Sequence, residues 1–104
     1  KDMGRIDFSK SAVEINRLIR GCNPWPSAFT SYNNKTLKIW VGLPSDNTSS
    51  EKPGTVIEVT KDSIVVACGQ GSLTVTELQL EGKKRMSVHD FLLGAKVNVG
   101  DKLG

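Results

Sequence analysis

Apolar residues recur every three to four positions near the start of the chain and predict an amphipathic helix over residues 9–21. Its apolar face is expected to contain Ala12, Ile15, Leu18, Ile19 and Cys22. Ser11 and Glu14 have the spacing of a capping box, although Ser9 is a competing cap. Gly21 favours a left-handed end of the helix.

Alternating apolar and polar residues follow and predict strands. In segment 36–43, Leu37, Ile39, Val41 and Leu43 are expected on one inner face. The β-branched runs 55–60 and 63–68 are joined by Lys61-Asp62, which predicts a hairpin. Segment 44–53 is rich in Ser, Asn, Asp and Thr and predicts a mobile surface loop.

The apolar side of segment 72–80 changes partway along. Leu73 and Val75 occupy odd positions, whereas Leu78 and Leu80 occupy even ones. Because a shift of one residue moves side chains to the opposite face, this change predicts a β-bulge near 76–77.

The end of the chain predicts a short helix and two further returns to the sheet. Ser87, supported by Asp90, caps a helix that ends at Gly94, with Val88, Phe91 and Leu92 facing inward. Residues 96–99 suggest one more strand, and residues 102–103 are expected to rejoin the sheet. Successive hairpins favour an antiparallel sheet. The predicted fold is mainly β: an OB-like, partly closed antiparallel barrel with an N-terminal helix and one short late helix.

Length and charge narrow the functional classes. The chain has 104 residues and a net charge of +3, which fits one weakly basic domain. Residues 1–8 are interpreted as the end of a linker and residues 9–104 as the domain. No apolar run approaches the ~20 residues of a membrane span. Cys22 and Cys68 are interpreted as buried small hydrophobes, and one His with two scattered Cys does not suggest a metal site.

The densest charge is Lys83-Lys84-Arg85, interpreted either as a solvated turn or as a phosphate contact. Arg17 and Arg20 share a helix face and could extend a basic surface, although Glu14 is close enough to pair with Arg17. His89 is expected to face solvent and has no obvious catalytic partner. No catalytic residue is predicted, so the residues suggest a small binding domain, most naturally for RNA.

Two tryptophans are further candidates. Trp25 lies between two prolines in Asn23-Pro24-Trp25-Pro26, a stiff loop that favours a packing anchor against the barrel or a neighbouring domain over base stacking. Trp40 is expected on the outer face of its strand, either exposed or, as the preferred interpretation, covered by the first helix.

Several motifs in order resemble the C-terminal domain of the methionyl-tRNA formyltransferase family. The resemblance covers almost the whole chain and includes residues 5–10, Asn23-Pro24-Trp25-Pro26, Gly82-Lys83-Lys84-Arg85-Met86-Ser87 and Gly100-Asp101-Lys102-Leu103. It is weakest in 44–53, and Ser27 stands where glycine is frequent in the family.

The resemblance implies a cytoplasmic enzyme that formylates the methionine on initiator tRNA. Its N-terminal domain would hold the catalytic residues and 10-formyltetrahydrofolate, so no cofactor or metal is expected in this domain. Its partners would be initiator tRNA and that catalytic domain. The implied RNA-binding residues are Arg17, Arg20, Lys38, Lys83, Lys84 and Arg85. Asn23, Pro24, Trp25 and Pro26 would contact the catalytic domain.

A second interpretation stays open. The same C-terminal fold occurs in 10-formyltetrahydrofolate dehydrogenase, where such a domain would be a structural module that supports a catalytic domain through the Trp25 loop.

Overall fold

The computed structural model describes residues 3–104, and its main feature is a six-stranded antiparallel sheet. The strands are β1 (Ala28–Tyr32), β2 (Lys35–Ser45), β3 (Val56–Val59), β4 (Ile64–Ala67), β5 (Ser72–Leu80) and β6 (Met86–Ser87). Their order is β1-β2-β5-β4-β3, and β6 pairs with β5. The helices are α1 (Ala12–Gly21) and α2 (Val88–Gly94). The predicted mainly β fold is confirmed, whereas β1 and β6 were not predicted.

The last four residues connect the two edges of this open sheet. The Leu103 N–H donates to the Gly54 carbonyl just before β3, at 2.8 Å, and the Gly104 N–H donates to Ser31 of β1, at 2.9 Å. The Tyr32 hydroxyl donates to the Asp101 carboxylate at 2.7 Å. The expectation that 102–103 rejoin the sheet is confirmed by a bridge between Lys102 and Thr55. The chain therefore forms a partly closed barrel.

The strand predicted at 96–99 is wrong: residues 96–98 form neither helix nor strand, and a turn follows over 98–101. The Asp101 N–H donates to the Asn98 carbonyl at 3.0 Å, and the Asn98 N–H donates to the Asp101 carboxylate at 3.0 Å. These contacts occupy the N–H and the carbonyl of Asn98, which a strand partner would otherwise use.

Two compensating bulges decide which side chains face the core. Between β2 and β5 the paired residues are Ile39 with Leu78, Val41 with Glu77 and Gly42 with Val75. Trp40 in β2 and Thr76 in β5 therefore have no partner residue in the opposite strand. The predicted bulge at 76–77 is confirmed. The bulge at Trp40 was not predicted. Because it reverses the alternation, the inward placement of Val41 and Leu43 is wrong, and they are 39% and 60% exposed.

The first helix begins as the capping box predicts. Ser11 is the N-cap, its hydroxyl accepts from the Glu14 N–H at 3.1 Å, and the Glu14 carboxylate accepts from the Ser11 N–H at 3.1 Å. The apolar face of α1 joins the core through Ala12, Ile15 and Ile19. The left-handed stop at Gly21 is wrong: Gly21 is the last helical residue, and Cys22 follows with φ of −96°.

The predicted late helix and the buried cysteines agree with the structure, whereas Pro44 and Ser45 of the loop predicted at 44–53 belong to β2. Ser87 caps α2 through the Asp90 N–H at 3.0 Å, and α2 ends at Gly94. Cys22 and Cys68 are free and buried, as expected of small hydrophobes. Burial raises the pKa of the Cys68 thiol to about 11. Within residues 3–104, no helix is long and apolar enough to cross a membrane.

The segment before the first helix packs into the domain. Ile6 and Phe8 are buried in the core. The Ile6 N–H donates to Phe29 and the Phe29 N–H donates to Gly4, both at 2.8 Å, along the edge of β1. Lys1 and Asp2, which begin the predicted linker, lie outside the described residues. The interpretation of residues 1–8 as the end of a linker to another domain stays a prediction.

Candidate nucleic-acid interface

A polar cluster occupies the outer face of β2 and β5, on the side away from the core. Its members, called here the Trp40 cluster, are Lys38, Trp40, Glu77, Gln79 and Arg85. The strand register places Lys38 opposite Gln79. Ser87 is opposite Glu77 and Met86 is opposite Leu78, so Arg85 reaches Glu77 diagonally across the two strands. The bulges at Trp40 and Thr76 contribute, because they set which residues of each strand point outward.

Arg85 is held by a carboxylate and by an aromatic ring. Its Nε and Nη2 donate to the two oxygens of Glu77 at 2.9 and 3.0 Å, the bidentate arrangement that a planar guanidinium favours. Its Cζ lies 4.6 Å from the centroid of the Trp40 ring. The hydrogen bonds lower the pKa of Glu77 and raise that of Arg85, so both groups are charged at neutral pH. The pair contributes no net charge to the surface.

Trp40 also connects to the turn that precedes Arg85. Its Nε1 donates to Gln79 Oε1 at 3.2 Å, and Gln79 Nε2 donates to the Lys83 carbonyl at 3.0 Å. Lys38 Nζ lies 5.9 Å from the Trp40 ring. Arg85 and Lys38 both lie against the Trp40 ring, and that α1 covers it stays a prediction. The ring is half-buried by these long side chains.

Lys83 and Lys84 are the open cations of this surface. Both are exposed, and neither is paired with a carboxylate of residues 3–104. An open groove runs between Lys38 and Lys83, with Gln79 and Glu81 on its walls. The Glu81 carboxylate accepts from the Thr36 N–H at 2.8 Å. Cations beside an open groove can bind a phosphate chain without reading its sequence.

The two helix arginines lie apart from the triplet in the chain. Arg17 and Arg20 are exposed on α1, with Arg20 in its last turn. The link between the regions is Asn23, just after α1, whose Nδ2 donates to the Trp40 carbonyl at 3.4 Å. The structure thus brings Lys38, the triplet and Trp40 together, and joins the end of α1 to the same strand.

The loop that follows α1 projects into solvent. Trp25 is 80% exposed, so it is not a packing anchor against this barrel. Asn23 and Pro24 are exposed and Pro26 is half-buried. Ser27 has φ of 77°, the left-handed region that favours glycine, which gives a backbone reason for glycine to be frequent there in the resembling family. An exposed tryptophan on a short loop is a candidate contact for another chain or domain.

His89 is exposed, as expected from the sequence, and its Nδ1 lies 3.0 Å from an oxygen of Asp62. Within the described part of the chain, no group of three His, Cys, Asp or Glu residues is arranged to hold a metal ion.

Sequence analysis missed Glu77 and Gln79 as parts of the site. The available signal was weak: two polar residues at alternate positions of β5, matching Lys38 and Trp40 at alternate positions of β2. Only the pairing of those strands shows that the four residues meet.

Comparisons with known proteins add the following. A family model described as "Formyl transferase, C-terminal domain" matches residues 1–96. A methionyl-tRNA formyltransferase of Lachnospira eligens is 52% identical over an alignment of 109 residues, which covers 100% of this chain and 35% of that protein. One from Alkaliphilus oremlandii is 49% identical and covers 100% of this chain and 34% of that protein. The chain thus spans about a third of the length of these relatives.

The fold also occurs in a solved structure. HypX from Aquifex aeolicus, crystallised in complex with tetrahydrofolic acid, matches with a TM-score of 0.69 at 15% identity, covering 92% of this chain and 20% of that one. At this identity the likeness concerns the fold alone.

Proposed function

The chain belongs to the formyl transferase C-terminal domain family, and on that premise we propose that it is the tRNA-binding domain of a methionyl-tRNA formyltransferase. The whole enzyme would transfer a formyl group from 10-formyltetrahydrofolate to the methionine on initiator tRNA, in the cytoplasm. The folate site and the catalytic residues would belong to an N-terminal domain. The names of the relatives at 52% and 49% identity support this assignment.

The observation that carries the proposal is the row of open cations beside the Trp40 cluster. Lys83 and Lys84 have no carboxylate partner among residues 3–104, and Lys38 borders the same groove. Such a surface attracts phosphate through charge, since each neutralised phosphate releases counterions. Arg17 and Arg20 would extend the contact along α1.

The mechanism that fits this surface is positioning. Contacts to the RNA backbone fix orientation but carry no sequence information. Holding the tRNA on a rigid sheet would present its aminoacyl end to the catalytic domain and so convert an encounter into an oriented complex. The domain would then affect how the tRNA binds without taking part in formyl transfer.

The test is the salt dependence of initiator tRNA binding by this 104-residue chain and by the variant K83Q/K84Q. Loss of two phosphate contacts should reduce the slope of log K against log salt by roughly 1.5. A matched control is K52Q/K61Q, because these exposed lysines lie on either side of the edge strand β3. If K83Q/K84Q and wild type have the same slope, neither lysine contacts a phosphate of the tRNA.

A second function is favoured by the 80% exposure of Trp25. The loop Asn23–Pro26 would contact the catalytic domain, so the barrel would also support that domain. Trp25→Ala should then lower the unfolding midpoint of the full-length enzyme, and should change the free energy of unfolding of this chain by less than about 0.5 kcal/mol. Equal midpoints for wild type and variant in the full-length enzyme would exclude this contact.

A further inference from the structure

We infer that Arg85 is a positioning residue of the RNA interface, which holds the turn bearing Lys83 and Lys84 and does not itself contact phosphate. The inference rests on the proposed function and assigns different roles within the basic triplet. By charge alone, the three residues would be equivalent.

The first step is the state of the guanidinium. Two of its N–H groups donate to Glu77 at 2.9 and 3.0 Å, and one face covers Trp40. A phosphate approaching Arg85 would therefore also approach the Glu77 carboxylate, whose repulsion offsets much of the attraction. The Arg85 side chain is 43% exposed and that of Glu77 is 32% exposed, so solvent reaches both partners.

The second step is the path of the turn. Gly82 has φ of 86°, and a Cβ at that position would meet nothing within 4 Å, so nothing among residues 3–104 packs against this position. The Lys83 N–H donates to the Leu80 carbonyl at 2.9 Å and closes the turn. Two side-chain contacts then attach the closed turn to the sheet. At one end Gln79 Nε2 donates to the Lys83 carbonyl, and at the other Arg85 pairs with Glu77. Trp40 contacts both anchors, through its indole N–H and its ring.

Lys83 and Lys84 therefore lie within a short segment that is held at both ends. A flexible basic turn must be ordered when RNA binds, at a cost of about 0.5–1.5 kcal/mol for each immobilised side chain. A turn that is already held avoids part of this cost. Arg85 thus acts through the placement of the two lysines.

The discriminating variant is E77Q/R85Q, which removes the ion pair and preserves the net charge. Its affinity for initiator tRNA at fixed salt should fall by roughly fivefold, because the lysines lose their fixed placement. Its salt slope should equal that of wild type, whereas K84Q should reduce the slope by about 0.7–0.9. The matched control is E58Q/K61Q, an exposed pair of opposite charges at the β3–β4 hairpin. It should change neither quantity.

A conservative variant separates the geometric role from the charge. Arg85→Lys keeps the cation and loses the planar fork and the stacked face. We expect R85K to bind roughly fivefold more weakly with an unchanged slope, like the double variant. In a W25F background Trp40 is the remaining tryptophan, and R85K should shift its fluorescence emission in the absence of RNA.

Two results would overturn the inference. One is a slope for E77Q/R85Q that falls as much as that of K84Q, and the other is wild-type affinity for R85K. If either occurs while K84Q behaves as expected, the proposed RNA-binding function stands and only the role of Arg85 is wrong. If K83Q/K84Q leaves the slope unchanged, neither lysine is a phosphate ligand, and both proposals fail.

Discussion

The contact that fastens the C-terminal segment makes the stability of the barrel sensitive to alkaline pH. Tyr32 is 8% exposed, and its hydroxyl donates to the Asp101 carboxylate at 2.7 Å. Burial first, and then the hydrogen bond and the charge of Asp101, raise the pKa of Tyr32 from 10.0 to about 12. The folded state therefore holds this proton more tightly than the unfolded state does.

The sign and the size follow from linkage. Since the folded pKa lies above the unfolded one, the stabilisation is fully present below pH 10 and is lost as pH rises towards 12. A difference of two pKa units predicts a loss of about 1.4 kcal/mol at pH 11 and about 2.3 kcal/mol at pH 12. Tyr32→Phe removes the titrating group, so this part of the pH dependence should disappear in that variant.

Two assays check this reasoning. Denaturant unfolding at pH 9 and pH 11, for wild type and Y32F, should show a loss in wild type that exceeds the loss in Y32F by about 1.4 kcal/mol. Tyr32 is the single tyrosine of the chain, so phenolate absorbance of the folded protein reports its pKa directly. A phenolate that forms around pH 10 in the folded protein would refute the argument, because neither burial nor the Asp101 contact would then raise the pKa of Tyr32.

Further predictions concern the backbone of the barrel and its first helix. Gly69→Ala should lower the free energy of unfolding by more than about 3 kcal/mol, because its Cβ would lie 1.8 Å from the Ser9 carbonyl oxygen. Gly21→Ala is the matched control, since its Cβ would meet nothing within 4 Å; similar values for the two variants in urea unfolding would contradict the close approach. Ser11→Ala should cost about 1 kcal/mol through loss of the N-cap, measured in the same way. Ser9→Ala should change stability by less than about 0.5 kcal/mol, and an equal effect of both substitutions would argue against Ser11 as the cap.

Local signals in the sequence predicted what local physics determines. The capping box at Ser11 and Glu14 lies within four residues, and the structure contains both of its hydrogen bonds. The change of side in β5 is also a local signal, and it located the bulge at Thr76. Sequence patterning is informative in such cases because each element contains the residues that define it.

Long-range pairing decided the features that the sequence did not show. The strand β1 (Ala28–Tyr32) has a buried Thr30 among its inward residues, so its apolar alternation is broken. The bulge at Trp40 leaves Leu37 and Ile39 buried but turns Val41 and Leu43 to solvent. Nothing in β2 alone indicates this, because the bulge there compensates the one in β5.

In the candidate site, too, local features are visible in the sequence and long-range contacts are not. The basic triplet is visible in the sequence as a charge run. The pairing of Arg85 with Glu77 and its stacking on Trp40 depend on β2, β5 and β6 meeting in one register. The chemical difference between Arg85 and its two neighbours therefore appears only in the folded chain.

The most direct test of the account is an equilibrium titration of this chain with initiator tRNA at several salt concentrations, beside a duplex DNA of matched length. The account predicts binding to tRNA that weakens steeply with salt, because each phosphate neutralised by Lys83 or Lys84 releases counterions. Absence of tRNA binding at low salt would contradict it.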